Sequence, residues 1–509
     1  MGGAITGLSG CKTPSRKAEI PVFKLNSLKA SAKDELLLTE GFHSEVLIRF
    51  GDRIAHDETF GFNNDYIAFL PDEENPDSGI LWVNHETAVP KFVSGRTFAD
   101  EPSKEQVDRE LYNVGGTFVH KSLTNGKWRV DQDHPNNRRL SRHSPMSFMW
   151  KENIGRDTPI GTLANCAGGV TPWGTVLTYE ENFQDCFGDR KRGQQSIEEG
   201  YYRWNRIYDR PPEHYGWVVE VDPASNAGKK LVALGRCAHE CATVTQLKDE
   251  RLVIYTGDDK ENECLYKFVS SEPNSLEHGT LYVANVDSGI WIPIEWERQS
   301  ILQENFRDQT EVLTFLREAA HLLGGSKLDR PEDIEIDPIS GDVFVALTKN
   351  RSRRNFFGSI LKINEKGSYE SPTFESESFL TGGEETGFAC PDNLVFDQNG
   401  NLWFTSDISN SSMNKEPYAA FGNNGLFLVP RRGEQAGEVI KVASAPTDAE
   451  FTGPCFSADQ RHLFLSVQHP GANSSDDLSQ LTSHWPDGGI PKPSVVVISG
   501  ENLERFTQV

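Results

Sequence analysis

The chain has 509 residues, with 75 Asp and Glu against 51 Lys and Arg and a formal net charge of −24. That balance, with no block of basic residues, argues against nucleic acid or an anionic membrane surface as a partner, because both are bound through clustered cations. No stretch approaches the roughly 20 apolar residues that a spanning helix needs, so no integral membrane segment is expected, and the surplus carboxylate is available for binding cations.

The first elements in chain order belong to a leader. Residues 2–10 are small and apolar and give way to Lys12-Thr13-Pro14-Ser15-Arg16, which reads as the tail of an export signal. Leu8-Ser9-Gly10-Cys11 matches the bacterial lipobox, whose cysteine becomes a lipidated N-terminus. The charged n-region is missing, so we expect the true start upstream of Met1, after a twin-arginine motif. Residues 1–20 are thus read as a truncated export signal or lipoprotein-like leader, and the protein as periplasmic or extracellular, with a lipid anchor at Cys11 as one form of that location. The eight cysteines are scattered without a C-x-x-C pair, which argues against a zinc ribbon or a small disulfide framework and leaves any pairing open.

From residue 65 onward one unit recurs: an alternating apolar strand, a tight turn rich in Asp, Gly, Asn or Pro, and a second strand that ends on a polar residue. The first copy turns at Pro76-Asp77-Ser78-Gly79 and ends at Asn84-His85-Glu86; the second turns at Thr171-Pro172-Trp173-Gly174 and ends at Glu180-Glu181. The others run through 243–259, 334–348, 394–405 and 455–467. Long segments between copies, 99–140, 182–215 and 262–328, are expected to hold outer strands and insertions. In the last of them 311–323 reads as an amphipathic helix, with Leu313, Leu316, Ala320 and Leu323 on one face. Six short hairpins with variable insertions suit radial blades better than a sandwich. The predicted fold is therefore all-β: a single six-bladed β-propeller over 35–505, with long inter-blade insertions and a short helical insertion.

Polar residues mark the hairpin ends. Asn64, Cys166, Glu240, Glu332, Asp392 and Glu450 stand just before the first strands, one per repeat, while Glu86, Glu181, Asp259, Asn350 and Asp407 close the second strands. Because the two strands of a hairpin are antiparallel, the start of one lies beside the end of the other, and both sets are expected at one rim of the central channel. Anions held that close repel unless cations neutralise them. A metal cluster is the economical reading: carboxylate and amide oxygens suit calcium, and the thiolate of Cys166 suits a softer, redox-capable ion such as iron. An isolated strand-end carboxylate is better explained by solvation or turn capping, and an isolated cysteine by burial as a small hydrophobe; six positions in register shift that balance. Arg330 precedes Pro331-Glu332 at the same rim, where a guanidinium either forms a structural salt bridge or captures a tetrahedral oxyanion.

Asn165-Cys166-Ala167-Gly168-Gly169, followed by Thr171-Pro172-Trp173-Gly174-Thr175 and Leu177-Thr178-Tyr179-Glu180-Glu181, resembles the signature of the PhoX-type alkaline phosphatases. His239-Glu240, Gly257-Asp258-Asp259, Asp329-Arg330-Pro331-Glu332, Pro391-Asp392-Asn393-Leu394 and Gln468-His469-Pro470-Gly471 follow in that family's order, and the resemblance spans 40–475. It implies a phosphomonoesterase exported by the twin-arginine (Tat) route, acting on small phosphorylated substrates, with two Fe3+ ions, several Ca2+ ions and a bridging oxide in the channel of a six-bladed propeller. Carried over by motif, Cys166, Glu181, Glu240, Asp259, Glu332 and Asp392 are implied metal ligands, with Glu450 and Asn64 as further ones. Arg330 is the implied catalytic residue that holds the phosphate, and the implied chemistry is in-line displacement without a serine nucleophile. Two departures stand out: Tyr179 occupies a position that is often cysteine in the family, and Arg236-Cys237-Ala238 lacks the aromatic and lysine expected before His239-Glu240.

Readings from other classes make different demands. A calcium-dependent lactonase or phosphotriesterase-like propeller hydrolase would use the carboxylates and asparagines but neither Cys166 nor Arg330. A non-catalytic propeller binding module would show exposed aromatics around its rim, and a quinone-dependent dehydrogenase has no motif in its favour. A closed propeller needs no second copy to complete its core, so a monomer is expected.

Overall fold

The computed structural model describes residues 24–508, apart from 142, 151–153 and 155–157. The leader therefore lies outside the described residues. Six sheets of four or five strands stand around one axis, and their first strands neighbour one another in a closed circle from Asn64–Asp72 round to Glu450–Phe456. The expected six-bladed β-propeller is the fold.

The fourth blade shows how each is built. Pro331–Ile336 lines the channel, and Val343–Leu347, Ser359–Asn364 and Glu375–Thr381 pair outward from it in antiparallel order. Successive side chains of a strand point to opposite faces, so the apolar run of the second strand serves two interfaces. Val343 and Val345 pack with Val253, Tyr255 and Leu265 of the third blade, while Phe344 and Ala346 pack with Leu394, Leu402 and Phe404 of the fifth. A similar apolar layer fills the other four blade interfaces. Each fully buried side chain of this kind contributes about 1.5–3 kcal/mol, and that sum holds the blades radially and fixes the channel between them.

The ring closes through the N-terminal segment. His43–Arg49 forms the outer strand of the sixth blade against Ser494–Ser499, and Leu37–Leu38 adds an edge to Ile440–Ser444 of the fifth. The helix expected over 311–323 is present as two pieces, Gln309–Thr314 and Leu316–Leu322, separated at Phe315 by a non-helical backbone (φ −114°, ψ 49°). Leu313, Leu316 and Ala320 are buried in the layer between the second and third blades. A second amphipathic helix, Lys104–Tyr112, was not anticipated; it starts with a reciprocal capping box between Ser103 and Gln106. All seven described cysteines are free.

Candidate metal centre

Entry to the inner strands follows one local rule. Asn63, Ala164, Arg330 and Cys390 hold φ of 42°, 52°, 58° and 53°, a left-handed conformation that costs a non-glycine residue about 1–2 kcal/mol. Just beyond, the strand register slips by one residue, between Asn64 and Ile67, Asn165 and Gly168, Pro331 and Ile334, and Pro391 and Leu394. Such a bulge re-aims a side chain, and the residues brought into the channel are Asp65, Cys166, Glu332 and Asp392. In the third blade Glu240 takes this place, directly after the bridge between His239 and Asp258.

A second tier lies beside the first. The backbone N–H groups of Glu86, Glu181, Asp259, Thr348 and Asp407 donate to the carbonyls of Asn63, Ala164, Ala238, Arg330 and Cys390 at 2.8–3.1 Å. Every acidic member of this tier lines the same cavity of about 530 Å³ as the first. Of the nine residues that the resemblance implies as metal ligands or phosphate holder, eight, Cys166, Glu181, Glu240, Asp259, Arg330, Glu332, Asp392 and Glu450, also line it.

The ninth, Asn64, does not. It is fully buried beneath the ring and donates from Nδ2 to the Ser494 carbonyl at 3.0 Å; the bulge gives its place to Asp65. Asn350 is displaced likewise, because Thr348 is the second-tier residue of its blade. Asn350 instead bonds Asn262 and Asp329 at 3.1 and 2.8 Å. Glu450 reaches the cavity from a different level, opposite Gln468. The sixth blade's register slip falls later, between Thr452 and Cys455, and puts Gly453 where the other blades carry a donor.

The donors lie close together. Cys166 Sγ is 3.0 Å from Glu240 Oε1 and 3.3 Å from Asp65 Oδ2. Ligand atoms of Cys166, Glu181 and Glu240 fall within 4.8 Å of one another, and so do those of Glu240, Glu332 and Asp392, so that Glu240 belongs to both groups. Arg330 grips Asp259 with Nε and Nη2 at 2.7 and 2.6 Å, and Nη2 lies 2.8 Å from Glu332. Its Nη1 is 3.4 Å from Asp407, which Lys349 Nζ also faces at 3.3 Å. His469 Nε2 stands 3.3 Å from Glu450, and Gln468 Nε2 donates to Asp65 and Glu86 at 2.8 and 3.0 Å. Lys349, His469 and Gln468 were not singled out as site residues from sequence, although Gln468-His469 was visible as a motif. Glu263, Cys264 and His321 form a further group of potential donors, but none of them lines the cavity.

Burial and mutual repulsion act together on these groups. Burial, then the charges of Glu86 and Glu450, push Asp65 well above the ordinary carboxylate range. Burial with neighbouring carboxylates does the same to Glu181, Glu240, Asp392 and Glu450 and raises the Cys166 thiol. Glu332 is raised too, burial outweighing the opposing pull of Arg330. Asp407 is the exception: burial would raise it, but Lys349 and Arg330 hold it low. Added positive charge counters the repulsion among so many buried acids and offsets the cost of burying them. Buried oxygens around one thiol are a donor set that fits hard and softer cations side by side.

The model of the family described as alkaline phosphatase PhoX matches residues 23–471. Among solved structures, PhoX of Pseudomonas fluorescens, determined with vanadate as a transition-state analogue, is 29% identical, with 94% of this chain and 98% of that one covered and a TM-score of 0.83. A periplasmic gluconolactonase of Pseudomonas aeruginosa (9% identity, TM-score 0.34, 94% and 99% covered) and a family AA12 carbohydrate-active enzyme of Trichoderma reesei (10%, 0.39, 94% and 99%) are far more remote and carry no functional argument. No curated protein sequence matches the chain.

Proposed function

The chain belongs to the PhoX alkaline phosphatase family and is a phosphoric monoester hydrolase; on that premise we propose that it works through a mixed iron and calcium cluster held in the propeller channel. Cys166, Glu181, Glu240, Asp259, Glu332 and Asp392 would hold the cations, with Asp65 in place of Asn64 and with Glu86, Asp407 and Glu450 at the margin. The observation that carries this reading is the pair of donor groups joined by Glu240, one of which contains the thiol. When bound, the cations supply Lewis acidity and positive charge to offset the phosphoryl oxygens.

The chain's own residues do the rest. Arg330 presents a planar fork of N–H donors at the edge of the cluster, which is the geometry that suits phosphate oxygens. In the protein alone those donors are taken up by Asp259, Glu332 and Asp407. Engagement of Asp259 and Glu332 with cations would release them toward the substrate. Lys349, 4% exposed, adds fixed positive charge behind Asp407. His469, beside Glu450, is placed to exchange a proton at the cavity edge. No serine nucleophile is required.

Phosphate release from 4-nitrophenyl phosphate tests this reading. Activity should disappear when a chelator strips the protein and return with ferric and calcium ions together. Undiminished activity in fully stripped protein would overturn it. We also place the protein outside the cytoplasm, on the strength of the family and of the 2–10 segment, with Leu8-Ser9-Gly10-Cys11 as the lipidation site; mature protein that retains residues 1–10 would contradict the anchor.

A further inference from the structure

The cavity holds more than acids. Of the large apolar side chains that stand exposed among the described residues, Phe98 and Tyr201 are the two that line it, at 37% and 50% exposure. Apolar surface left in water beside a charged pocket is unfavourable unless something covers it in use. The two rings meet edge to face, with centroids 5.0 Å apart and planes at 76°. Tyr202 continues the surface, stacked on Tyr201 at 5.1 Å and edge-on to Phe98 at 5.1 Å.

The rings are held from behind. Arg96 is buried and donates from Nε and Nη2 to the two Glu110 oxygens at 2.7 Å each, and from Nη2 to the Tyr202 carbonyl at 3.1 Å. Trp204 Nε1 donates to Glu110 at 2.7 Å, and Arg203 Nη2 donates to the Phe98 carbonyl at 2.7 Å. The Tyr202 N–H bonds the Asp185 carbonyl at 3.0 Å. Two insertions that could have moved independently, the segment around Phe98 and the one around Tyr201, are thereby locked into one surface. An aromatic surface that loses no freedom on binding is the kind that stacks planar ligands well.

We propose that Phe98 and Tyr201 form an aromatic subsite which receives a planar aromatic leaving group of the phosphomonoester. The proposal rests on the phosphatase reading, since it assigns the part of the substrate that departs. Acids outnumber Lys91, Arg96, Arg330 and His469 among the charged residues that line the cavity, and that balance disfavours a leaving group with further negative charge. The shared chemistry is therefore a neutral planar ring, which an aryl phosphate or a nucleoside monophosphate would supply.

The test is kcat/KM for phenyl phosphate, adenosine 5′-monophosphate and glycerol 3-phosphate, in the metal-loaded wild type, Phe98→Ala, Tyr201→Ala, the double variant and Tyr201→Phe. The double variant should lose about tenfold or more on the aromatic substrates, the scale of one stacking contact. It should stay within about twofold on glycerol 3-phosphate and keep its inhibition by inorganic vanadate, and Tyr201→Phe, which retains the ring, should keep most of the aromatic activity. Loss confined to adenosine monophosphate would name the nucleobase as the ligand, and loss confined to phenyl phosphate an aryl group. Equal loss on all three substrates, or no loss on any, would overturn the subsite. A wild type that hydrolyses none of the three would instead overturn the phosphatase reading.

Discussion

Arg330 joins conformation to function at the scale of one residue. It is left-handed at φ 58°, immediately before a proline, and its guanidinium is held by three acids of the cavity. If it serves the phosphoryl group, Arg330→Ala should lower kcat about 10²- to 10³-fold, the usual effect of removing one preorganised donor. Arg330→Lys should recover only part, because an ammonium cannot reproduce the fork. Wild-type turnover in Arg330→Ala would reduce the arginine to a structural ion pair. Sequence made Arg330 and most of the acids legible because polar residues recur at hairpin ends. It misassigned Asn64 for a physical reason: the pairing period of a strand is two, so one bulged residue exchanges the channel side for the buried side. Asp65 was adjacent in the sequence, and nothing in the apolar alternation marked the slip.

At the scale of the element, four inner strands share a left-handed entry residue and a bulge, the third delivers Glu240 without the left-handed residue, and the sixth puts a glycine at the donor's place. Gly453 occupies the sixth blade's bulge at φ 53°, where an added Cβ would meet the backbone of the first blade, 2.6 Å from the Asp65 carbonyl and 2.7 Å from the Ile67 nitrogen. No side chain bends away from a backbone clash, so Gly453→Ala should cost at least about 2 kcal/mol and, by displacing Asp65, should weaken cation retention as well. Gly489→Ala, with open space and no positive φ, should leave the thermal midpoint unchanged and serves as the control. A Gly453→Ala protein as stable and as active as the wild type would show that the first and sixth blades do not depend on this close approach. The glycine was visible in Thr452-Gly453-Pro454, but its meaning required knowing which backbone runs beside it. Helix Lys104–Tyr112 was missed although Ser103 and Gln106 offered a capping signal.

The whole molecule is a ring, and ring closure was the least legible feature. Repeats are readable because each blade repeats a local pattern. The outer strand of the sixth blade, however, comes from His43–Arg49, more than 440 residues from its partner Ser494–Ser499, and no local signal links the two. Closure matters to the site, because Asp65 and Glu86 on the first blade meet Gln468 on the sixth across that seam. The donors thus depend on all six blades being seated, and the cations, by relieving repulsion among donors from every blade, should in turn help to hold the ring. In the proposed iron and calcium cluster Cys166 is the thiolate ligand. The most direct measurement is the metal content and visible spectrum of the purified protein, wild type beside Cys166→Ser. The wild type should hold iron and calcium, with a thiolate-to-ferric absorption band that vanishes in the variant together with phosphatase activity; a colourless wild type that contains calcium alone and still releases phosphate would rule the iron–thiolate cluster out.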